Sequence, residues 1–136
     1  MNIVRSSIPT RSGQPEWFTG IVLIDPISEP SAICRINGNI VHFAPGARTA
    51  WHTHPLGQTI YVTEGVGACQ KRGGPVEILR PGDRVFFEPG EDHWHGATAD
   101  RFMVHIALVE VDESGNSATW GDQVTDTEYA AAHSAQ

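Results

Sequence analysis

The sequence predicts an all-β fold, a barrel or jelly roll of many short strands within one domain. Its apolar residues come in short runs separated by glycine- and proline-containing turns, a pattern typical of strands rather than helices. Helical patterning is scarce and is credible only near the C-terminus. A chain of 136 residues suits a single domain, because at that length about two thirds of the unfolded surface can be buried.

Nine strand-like runs follow one another along the chain. They are Ile21–Ile24, Ala32–Ile36, Asn39–Phe43, Arg48–Thr53, Thr59–Thr63, Val66–Lys71, Val76–Leu79, Arg84–Glu88 and Phe102–Val111. The turns between them are predicted at Asn37-Gly38, Pro45-Gly46, Gly73-Gly74, Pro81-Gly82-Asp83, Pro89-Gly90 and Ser114-Gly115-Asn116. Asn37-Gly38 in particular predicts a type I′ hairpin. So many strands in a small domain must close or stack as two sheets, since a long open sheet leaves unpaired edges.

One short helix is predicted at the C-terminus. Thr125 and Glu128 have the spacing of a capping box, and a run of alanines follows Tyr129. We expect a single domain over 1–136. It divides into an N-terminal strand arm over about 1–30, the barrel over about 31–112, and a C-terminal extension over about 113–136 that carries the helix.

Charge and composition argue against two classes of partner. The formal net charge is −7 with no basic cluster, so the protein repels nucleic-acid phosphates and anionic lipid heads. No apolar run reaches the roughly 20 residues that span a bilayer, and the N-terminus is polar rather than signal-like. We therefore expect a cytoplasmic protein with a small-molecule substrate. Cys34 and Cys69 stand far apart and are expected to be reduced, largely buried thiols.

Residues at alternate positions indicate a metal site. His52 and His54 are two residues apart, so an extended strand presents both imidazoles on one face. After the turn at 55–57, Gln58 resumes a strand with the parity of Ile60, so its amide oxygen can enter the same cavity. One hairpin thus offers three ligands.

Three further histidines lie at strand positions of compatible parity. His93 and His95 share a face if their segment is extended, and His105 lies in the middle of a strand. A single such histidine would usually be an ordinary core or surface residue, but a set of five rarely arises by chance. His42 has no partner at ligand spacing and is expected to be such an ordinary residue. The sequence therefore predicts one divalent ion with open positions, as catalytic sites have.

The spacing of these residues resembles the two cupin motifs. The first motif is matched in order by Gly46, His52, His54, Gln58 and Gly65, and the second by Gly82, Gly90 and His93. Gln58 stands where glutamate is usual, the proline of the second motif is displaced to Pro89, and Ala97 replaces its last asparagine. Similarity to the cupin superfamily implies a cupin β-barrel, also called a jelly roll or double-stranded β-helix. It also implies the metal ligands His52, His54, Gln58 and His93.

Longer stretches resemble a narrower group, the bacterial cupin-type hydroxynitrile lyases. The similar stretches are 43–58, 89–96, 17–20 and 124–126. The resemblance covers almost the whole chain and is strongest at the metal site. It implies a manganese-dependent enzyme that reversibly splits an aromatic cyanohydrin, such as (R)-mandelonitrile, into an aldehyde and hydrogen cyanide.

The same resemblance implies roles for residues beyond the ligands. His95 and His105 match two uncoordinated active-site histidines, one of which acts as the general base, and Asn39, Val41 and Val109 match the substrate-facing residues. We favour His105 as the base, because its strand places the imidazole among small apolar side chains deep in the cavity. His95 would orient the substrate or assist. An alternative role for His95, as a hydrogen-bond donor to a ligand or as an extra ligand, stays open.

The donor set bears on the choice of metal. Three neutral imidazoles and a neutral amide leave the charge of a divalent ion uncompensated, which favours Lewis-acid chemistry over redox chemistry with oxygen. Mn²⁺ is expected from the resemblance, and Fe²⁺, Ni²⁺ or Zn²⁺ suits the same ligands. Trp51, Trp94 and Trp120 are expected to pack rather than to bind substrate.

Three other functions remain compatible with such a site. The first is a metal-dependent isomerase or cyclase, which would need a cationic side chain for a carboxylate, and no arginine has a clear inward position. The second is an iron dioxygenase that cleaves a carbon–carbon or alkene bond, and the third a non-enzymatic small-molecule-binding cupin. Apolar residues on the outer face of the last long strand predict a homodimer or homotetramer.

Overall fold

The computed structural model describes residues 1–5 and 8–134, over which the chain forms thirteen strands and one helix, numbered here along the chain. All strand pairs are antiparallel and belong to two sheets. The six-stranded sheet has the order β1 (Arg11–Ser12), β3 (Val22–Ser28), β4 (Ile36–Phe43), β12 (Met103–Glu110), β7 (Gln58–Gly65) and β10 (Arg84–Phe87).

The seven-stranded sheet is built around β11 (His93–Ala97). One edge of β11 pairs with β5 (Arg48–Thr49) and β6 (His52–Thr53), and these two pair in turn with β2 (Phe18–Thr19) and β13 (Thr119–Trp120). Its other edge pairs with β8 (Gly67–Lys71), which also pairs with β9 (Glu77–Leu79). Three different strands therefore pair directly with β11.

The main core lies between the two sheets. On β7, Gln58, Ile60 and Val62 are buried, whereas Tyr61 between them is 45% exposed, as expected of a strand with one inward face. The core takes Val22, Val41, Phe43, Ile60, Val62, Phe87, Met103 and Ala107 from the six-stranded sheet, and Cys69, Leu79 and Ala97 from the seven-stranded sheet. The all-β class predicted from the sequence is confirmed.

The helix α1 (Asp126–Ser134) begins at the predicted capping box. The amide of Glu128 donates to Thr125 Oγ1 (3.1 Å), and the amide of Thr125 donates to Glu128 Oε1 (2.9 Å). The Tyr129 hydroxyl donates to the carbonyl of Ala97 (2.5 Å) in β11 and so anchors the helix. A second apolar cluster forms there, of Trp51, Ala68, Trp94, Val124 and Tyr129. The helix thereby covers Trp94 of β11 and Ala68 of β8.

The predicted hairpin at Asn37-Gly38 is wrong. These residues lie inside β4, where Gly38 pairs with Leu108 on one side and Ser28 on the other. A Cβ added at Gly38 would lie 3.2 Å from Ile27 Cγ1 and 3.3 Å from Leu108 Cδ2. Glycine is therefore needed for the close approach of neighbouring strands and not for a turn.

Three further expectations need correction. The run 32–36 is no strand before its last residue, because the Ser31 hydroxyl accepts the amide of Cys34 (3.2 Å) and holds a turn. The run 48–53 is interrupted and forms the separate strands β5 and β6. Cys34 is exposed rather than buried, while Cys69 is buried as expected.

The other predicted turns are confirmed, because each contains a glycine with φ between +73° and +94°. These glycines are Gly46, Gly73, Gly82, Gly90 and Gly115. Within residues 1–5 and 8–134, no helix has the length and apolar character needed to cross a membrane.

Replacing Gly65 with alanine is expected to destabilise the fold far more than the same change at Gly73. Both glycines have φ of +80°, so alanine meets the same backbone strain, about 1–2 kcal/mol. A Cβ at Gly65 would overlap the carbonyl of Phe102, whereas nothing lies within 4 Å at Gly73. Urea unfolding measures the difference, and equal losses of unfolding free energy would contradict the described packing.

Candidate active site

The four residues predicted as metal ligands meet where β6 pairs with β11. His52 lies opposite His93, and their ring centroids are 4.3 Å apart. His54 follows β6 directly, and the chain reverses there with the amide of Gly57 donating to the His54 carbonyl (3.3 Å), so that Gln58 begins β7. The His54 ring lies 4.9 Å from that of His52, and Gln58 Oε1 lies 3.3 Å from His93 Nε2. The structure therefore brings all four side chains together, three from one turn between strands and His93 through the pairing of β6 with β11.

Backbone carbonyls determine which ring nitrogen carries the proton in His52, His54 and His93. Each Nδ1 lies within hydrogen-bonding distance of one carbonyl oxygen. The acceptors are Ala50 for His52 (2.8 Å), Ser117 for His54 (2.6 Å) and Glu91 for His93 (2.8 Å). Because a carbonyl oxygen only accepts, each Nδ1 carries the proton and each Nε2 keeps a lone pair. This is the tautomer that a histidine uses when it binds a metal through Nε2.

The remaining donor atoms fit a divalent cation better than they fit one another. His54 Nε2 is buried and has no hydrogen-bond partner among the described residues. His93 Nε2 and Gln58 Oε1 face each other at 3.3 Å, although both are acceptors in this tautomer. A buried acceptor without a donor costs about 1–3 kcal/mol, and a cation bound to these atoms removes that cost. Among the described residues, His52, His93 and His95 bring their nitrogens close enough together to hold a metal ion, and His54 and Gln58 offer further donor atoms beside them.

Burial keeps the imidazoles at this position neutral. The pKa of His52 lies well below its usual value because the side chain is buried, and His93 and His54 lower it further. Burial also lowers the pKa of His54 and brings that of His93 to about 4. Metal binding requires neutral imidazoles, so at pH 7 an incoming ion displaces no proton from them.

The two histidines predicted as catalytic form a hydrogen-bonded pair across the barrel. His105 Nε2, on β12, lies 3.0 Å from His95 Nδ1, on β11 of the other sheet. The two side chains are fully buried, at 0% and 4% exposure, and the His95 amide donates to Thr49 Oγ1 (3.2 Å). His105 Nδ1 and His95 Nε2 have no partner in the described part of the chain. One buried nitrogen of each ring is therefore unpartnered among the described residues.

Burial also determines the charge of this pair. It lowers the pKa of His105 to about 4. Burial, followed by the nearby imidazole of His105, holds the pKa of His95 well below its usual value. Both rings are neutral at pH 7, and the hydrogen bond between them carries a single proton.

His95 also lies close enough to serve as a ligand. His52, His93 and His95 each offer a nitrogen within 4.8 Å of the others'. Since His95 Nδ1 is engaged with His105, only His95 Nε2 remains to face an ion. The geometry admits the extra-ligand role that the sequence left open for His95.

A cavity of about 410 Å³ opens onto these histidines. All three residues predicted to face substrate, Asn39, Val41 and Val109, line it, as do His95 and His105. No Asp, Glu, Lys or Arg side chain is among its lining residues in the described ranges. The cavity therefore suits a neutral, partly apolar molecule.

Sequence reasoning missed an aromatic wall of this cavity. Trp120 was expected only to pack, but it lines the cavity and stacks on His52, with centroids 4.5 Å apart. Trp17 also stacks on Trp120, with ring centroids 5.1 Å apart, and the Phe18 ring lies 5.8 Å from that of Trp120. Local sequence offers little signal for this wall, because β13 has two residues and meets β6 only through the tertiary fold.

No arginine was expected at an inward position of the site, and Arg48 does not contradict this. It is 5% exposed, yet it does not line the cavity. Its guanidinium donates to the Val124 carbonyl and the Asp126 carboxylate, both at 2.9 Å, and lies 4.3 Å from the Tyr129 ring centroid. Arg48 thus holds the C-terminal helix. His42 bonds to the half-exposed carboxylate of Asp25 (3.0 Å) outside the cavity, so its expected separation from the metal site agrees with the structure.

The fold and the histidine-rich interior agree with a known family. The cupin domain profile matches residues 39–110, and the chain belongs to the cupin family. The (R)-mandelonitrile lyase of Granulicella tundricola is 50% identical to the chain over 117 residues, which cover 86% of this chain and 88% of that protein.

Solved structures share the barrel. A cupin-like protein from Thermotoga maritima is 37% identical, with a TM-score of 0.85 over 98% of both chains. A polyketide cyclase from Streptomyces resistomycificus has a TM-score of 0.69 over 95% of this chain and 89% of its own, at 15% identity. The second likeness concerns the fold alone.

Changing His52 or His54 to alanine is expected to abolish stoichiometric metal binding while the barrel still folds. Each change removes one nitrogen donor from a small set of metal ligands. Neither imidazole is needed for the strands to pair. Elemental analysis of purified protein and circular dichroism measure the two effects. His42→Ala is the matched control and should retain metal. Full metal content in both His52→Ala and His54→Ala would contradict the ligand set.

The metal-free protein is expected to lose stability as the pH falls from about 6.5 towards 4. His93 and His105 have folded pKa values of about 4, against 6.5 when unfolded, so only the unfolded chain binds protons in this window. The free energy of unfolding is therefore unaffected by these two histidines above pH 6.5. Below that pH, each of them lowers it by about 1.4 kcal/mol per pH unit. Urea unfolding at several pH values measures this slope. His105→Asn should make it shallower, and an unchanged slope would contradict the burial of a neutral imidazole.

Proposed function

We propose that the chain is a metal-dependent hydroxynitrile lyase, which reversibly cleaves cyanohydrins such as (R)-mandelonitrile to an aldehyde and hydrogen cyanide. The observation that carries this proposal is the neutral His95–His105 pair, which opens onto an uncharged cavity beside a donor set suited to a metal. The 50% identity to an (R)-mandelonitrile lyase over most of both chains supports the same activity.

The His95–His105 hydrogen bond makes two roles of His95 mutually exclusive. If His105 Nε2 donates to His95 Nδ1, then His105 Nδ1 holds a lone pair and His95 Nε2 carries a proton. If His95 Nδ1 donates instead, His95 Nε2 is free to ligate an ion, and His105 Nδ1 is protonated. His105 is therefore a base only when His95 is not a ligand. We assign the first arrangement, with His105 Nδ1 as the general base.

The reaction then needs one proton transfer in each direction. His105 Nδ1 takes the hydroxyl proton of the cyanohydrin as the bond between the carbinol carbon and the nitrile carbon breaks, and the electron pair leaves with cyanide. The resulting imidazolium returns its proton to cyanide, which departs as hydrogen cyanide. Because burial lowers the pKa of His105 to about 4, the imidazolium is a strong acid and gives the proton up readily. His95 Nε2–H is left to orient the substrate.

A divalent ion held by His52, His54, Gln58 and His93 would supply a Lewis acid for the negative charge that develops on the substrate. We propose Mn²⁺ as that ion, as implied by the sequence resemblance to the cupin-type hydroxynitrile lyases. Fe²⁺, Ni²⁺ or Zn²⁺ is compatible with the same neutral donors. The Nδ1 hydrogen bonds to backbone carbonyls orient the three rings before any ion binds.

We also propose a homodimer or homotetramer. The outer face of the six-stranded sheet exposes large apolar side chains. Among them are Leu23, Tyr61, Phe86, Phe102 and Leu108, each between 41% and 53% exposed. Exposed large apolar side chains on one sheet face are typical of an interface between subunits. A cytoplasmic location stays a prediction from the sequence.

The rival functions differ in their chemistry. A cyclase or isomerase acting on a carboxylate would need a cationic side chain in the cavity, and the described lining has none. A dioxygenase would consume oxygen, whereas cyanohydrin cleavage involves no oxidation. A binding protein would neither consume oxygen nor cleave a cyanohydrin. An assay without oxygen therefore separates the three from the proposed lyase.

Manganese-loaded protein is expected to release cyanide from racemic mandelonitrile in the absence of oxygen. His105→Ala should lower kcat by about a hundredfold or more, since general bases contribute factors of about 10²–10⁴. A cyanide-specific colorimetric assay measures the rate. His42→Ala is the control and should keep full activity. Cyanide release no faster than the blank, or full activity in His105→Ala, would contradict the proposal.

A further inference from the structure

Three neighbouring strands divide the cavity wall into levels. Their register across β4, β12 and β7 sets Val41, His105 and Val62 at a first level, Asn39, Ala107 and Ile60 at a second, and Asn37, Val109 and Gln58 at a third. Successive levels are two residues apart, or about 7 Å along the strands. Two asparagines thus line β4 above the catalytic histidine, and both belong to the cavity lining.

These two carboxamides are only partly satisfied. Asn39 Nδ2 donates to Asn37 Oδ1 at 3.3 Å. Asn37 Nδ2, a donor, and Asn39 Oδ1, an acceptor, have no partner in the described part of the chain. The pair therefore presents one free donor and one free acceptor side by side. A hydroxyl group, which both accepts and donates, is the neutral group that satisfies both at once.

The position of the pair matches the far end of a bound aryl group. Asn37 and Gln58 lie at the same level on strands separated by β12, so two strand spacings, about 10 Å, separate their backbones across the wall. A phenyl ring whose reacting carbon lies between the metal donors and His105 can extend towards β4, where Asn39 and Asn37 lie one and two levels from His105. The cavity volume of about 410 Å³ falls in the range of about 300–1,000 Å³ typical of drug-sized ligands, which leaves room for a ring substituent.

We propose that Asn37 and Asn39 form a specificity subsite for a hydroxyl group on the substrate's aryl ring, opposite the reacting carbon. The preferred substrates are then neutral hydroxyaryl cyanohydrins rather than mandelonitrile itself. The hydroxyl donates to Asn39 Oδ1 and accepts from Asn37 Nδ2. A charged substituent is disfavoured, because no ionisable side chain other than histidine lines the described cavity. This subsite rests on the proposed lyase function.

The test compares three substrates in wild-type protein and in Asn37→Ala and Asn39→Ala variants. The substrates are mandelonitrile, 4-hydroxymandelonitrile and 4-methylmandelonitrile, in which a methyl group replaces the hydroxyl at similar size. The ratio of kcat/KM in variant to that in wild type is taken for each substrate, so differences in intrinsic reactivity cancel. Each variant should lower kcat/KM for the hydroxyl substrate by about three- to tenfold more than for the methyl substrate. Asn2→Ala, an exposed change outside the cavity lining, should alter none of the ratios.

A binding measurement separates failure of the subsite from failure of the lyase function. Calorimetry on metal-loaded protein compares 4-hydroxybenzaldehyde with 4-methylbenzaldehyde, the corresponding products. Tighter binding of the hydroxyl compound, lost in Asn37→Ala, supports the subsite even if no cyanide is released, in which case only the lyase function fails. If the variants lower the rate or the binding equally for the hydroxyl and methyl compounds, the subsite is overturned. Cyanide release from mandelonitrile would then still support the lyase function.

Discussion

The site depends on three hydrogen bonds from imidazole Nδ1 atoms to backbone carbonyls. The carbonyls belong to Ala50, Glu91 and Ser117, each in an irregular segment just before a strand. Because the backbone fixes these acceptors, it also fixes the tautomer and the direction of each ring before an ion arrives. The metal site is therefore a property of how β6, β11 and β13 are joined, and not only of which histidines are present.

The second constraint is an interior rich in imidazoles and without carboxylates or cationic side chains in its described lining. Burial keeps every one of these rings neutral, which suits metal binding and also makes His105 a weak base with a strongly acidic conjugate. Such a pair can move a proton off a substrate hydroxyl and return it within one turnover. The single proton between His95 and His105 links their roles, so that ligation by His95 would remove the base.

Much of this could be predicted from the sequence, because strands alternate their faces strictly. Parity alone placed His52, His54 and Gln58 in one cavity, and the capping box at Thr125 placed the helix. The Asn37-Gly38 error has a physical cause: the same dipeptide suits a turn or a crowded strand, and only pairing with β3 and β12 decides between them. The stacking of Trp120 on His52 and the Ser117 acceptor could not be predicted, since both arise from contacts between distant segments.

Nitrogen-15 NMR of histidine-labelled protein, loaded with diamagnetic zinc, tests this account most directly. It reports for each ring which nitrogen carries a proton and which binds the ion. The account predicts protonated Nδ1 and metal-bound Nε2 at His52, His54 and His93, with His95 Nε2 protonated and unbound. A zinc-bound His95, or a protonated Nε2 at any of the three ligands, would contradict it.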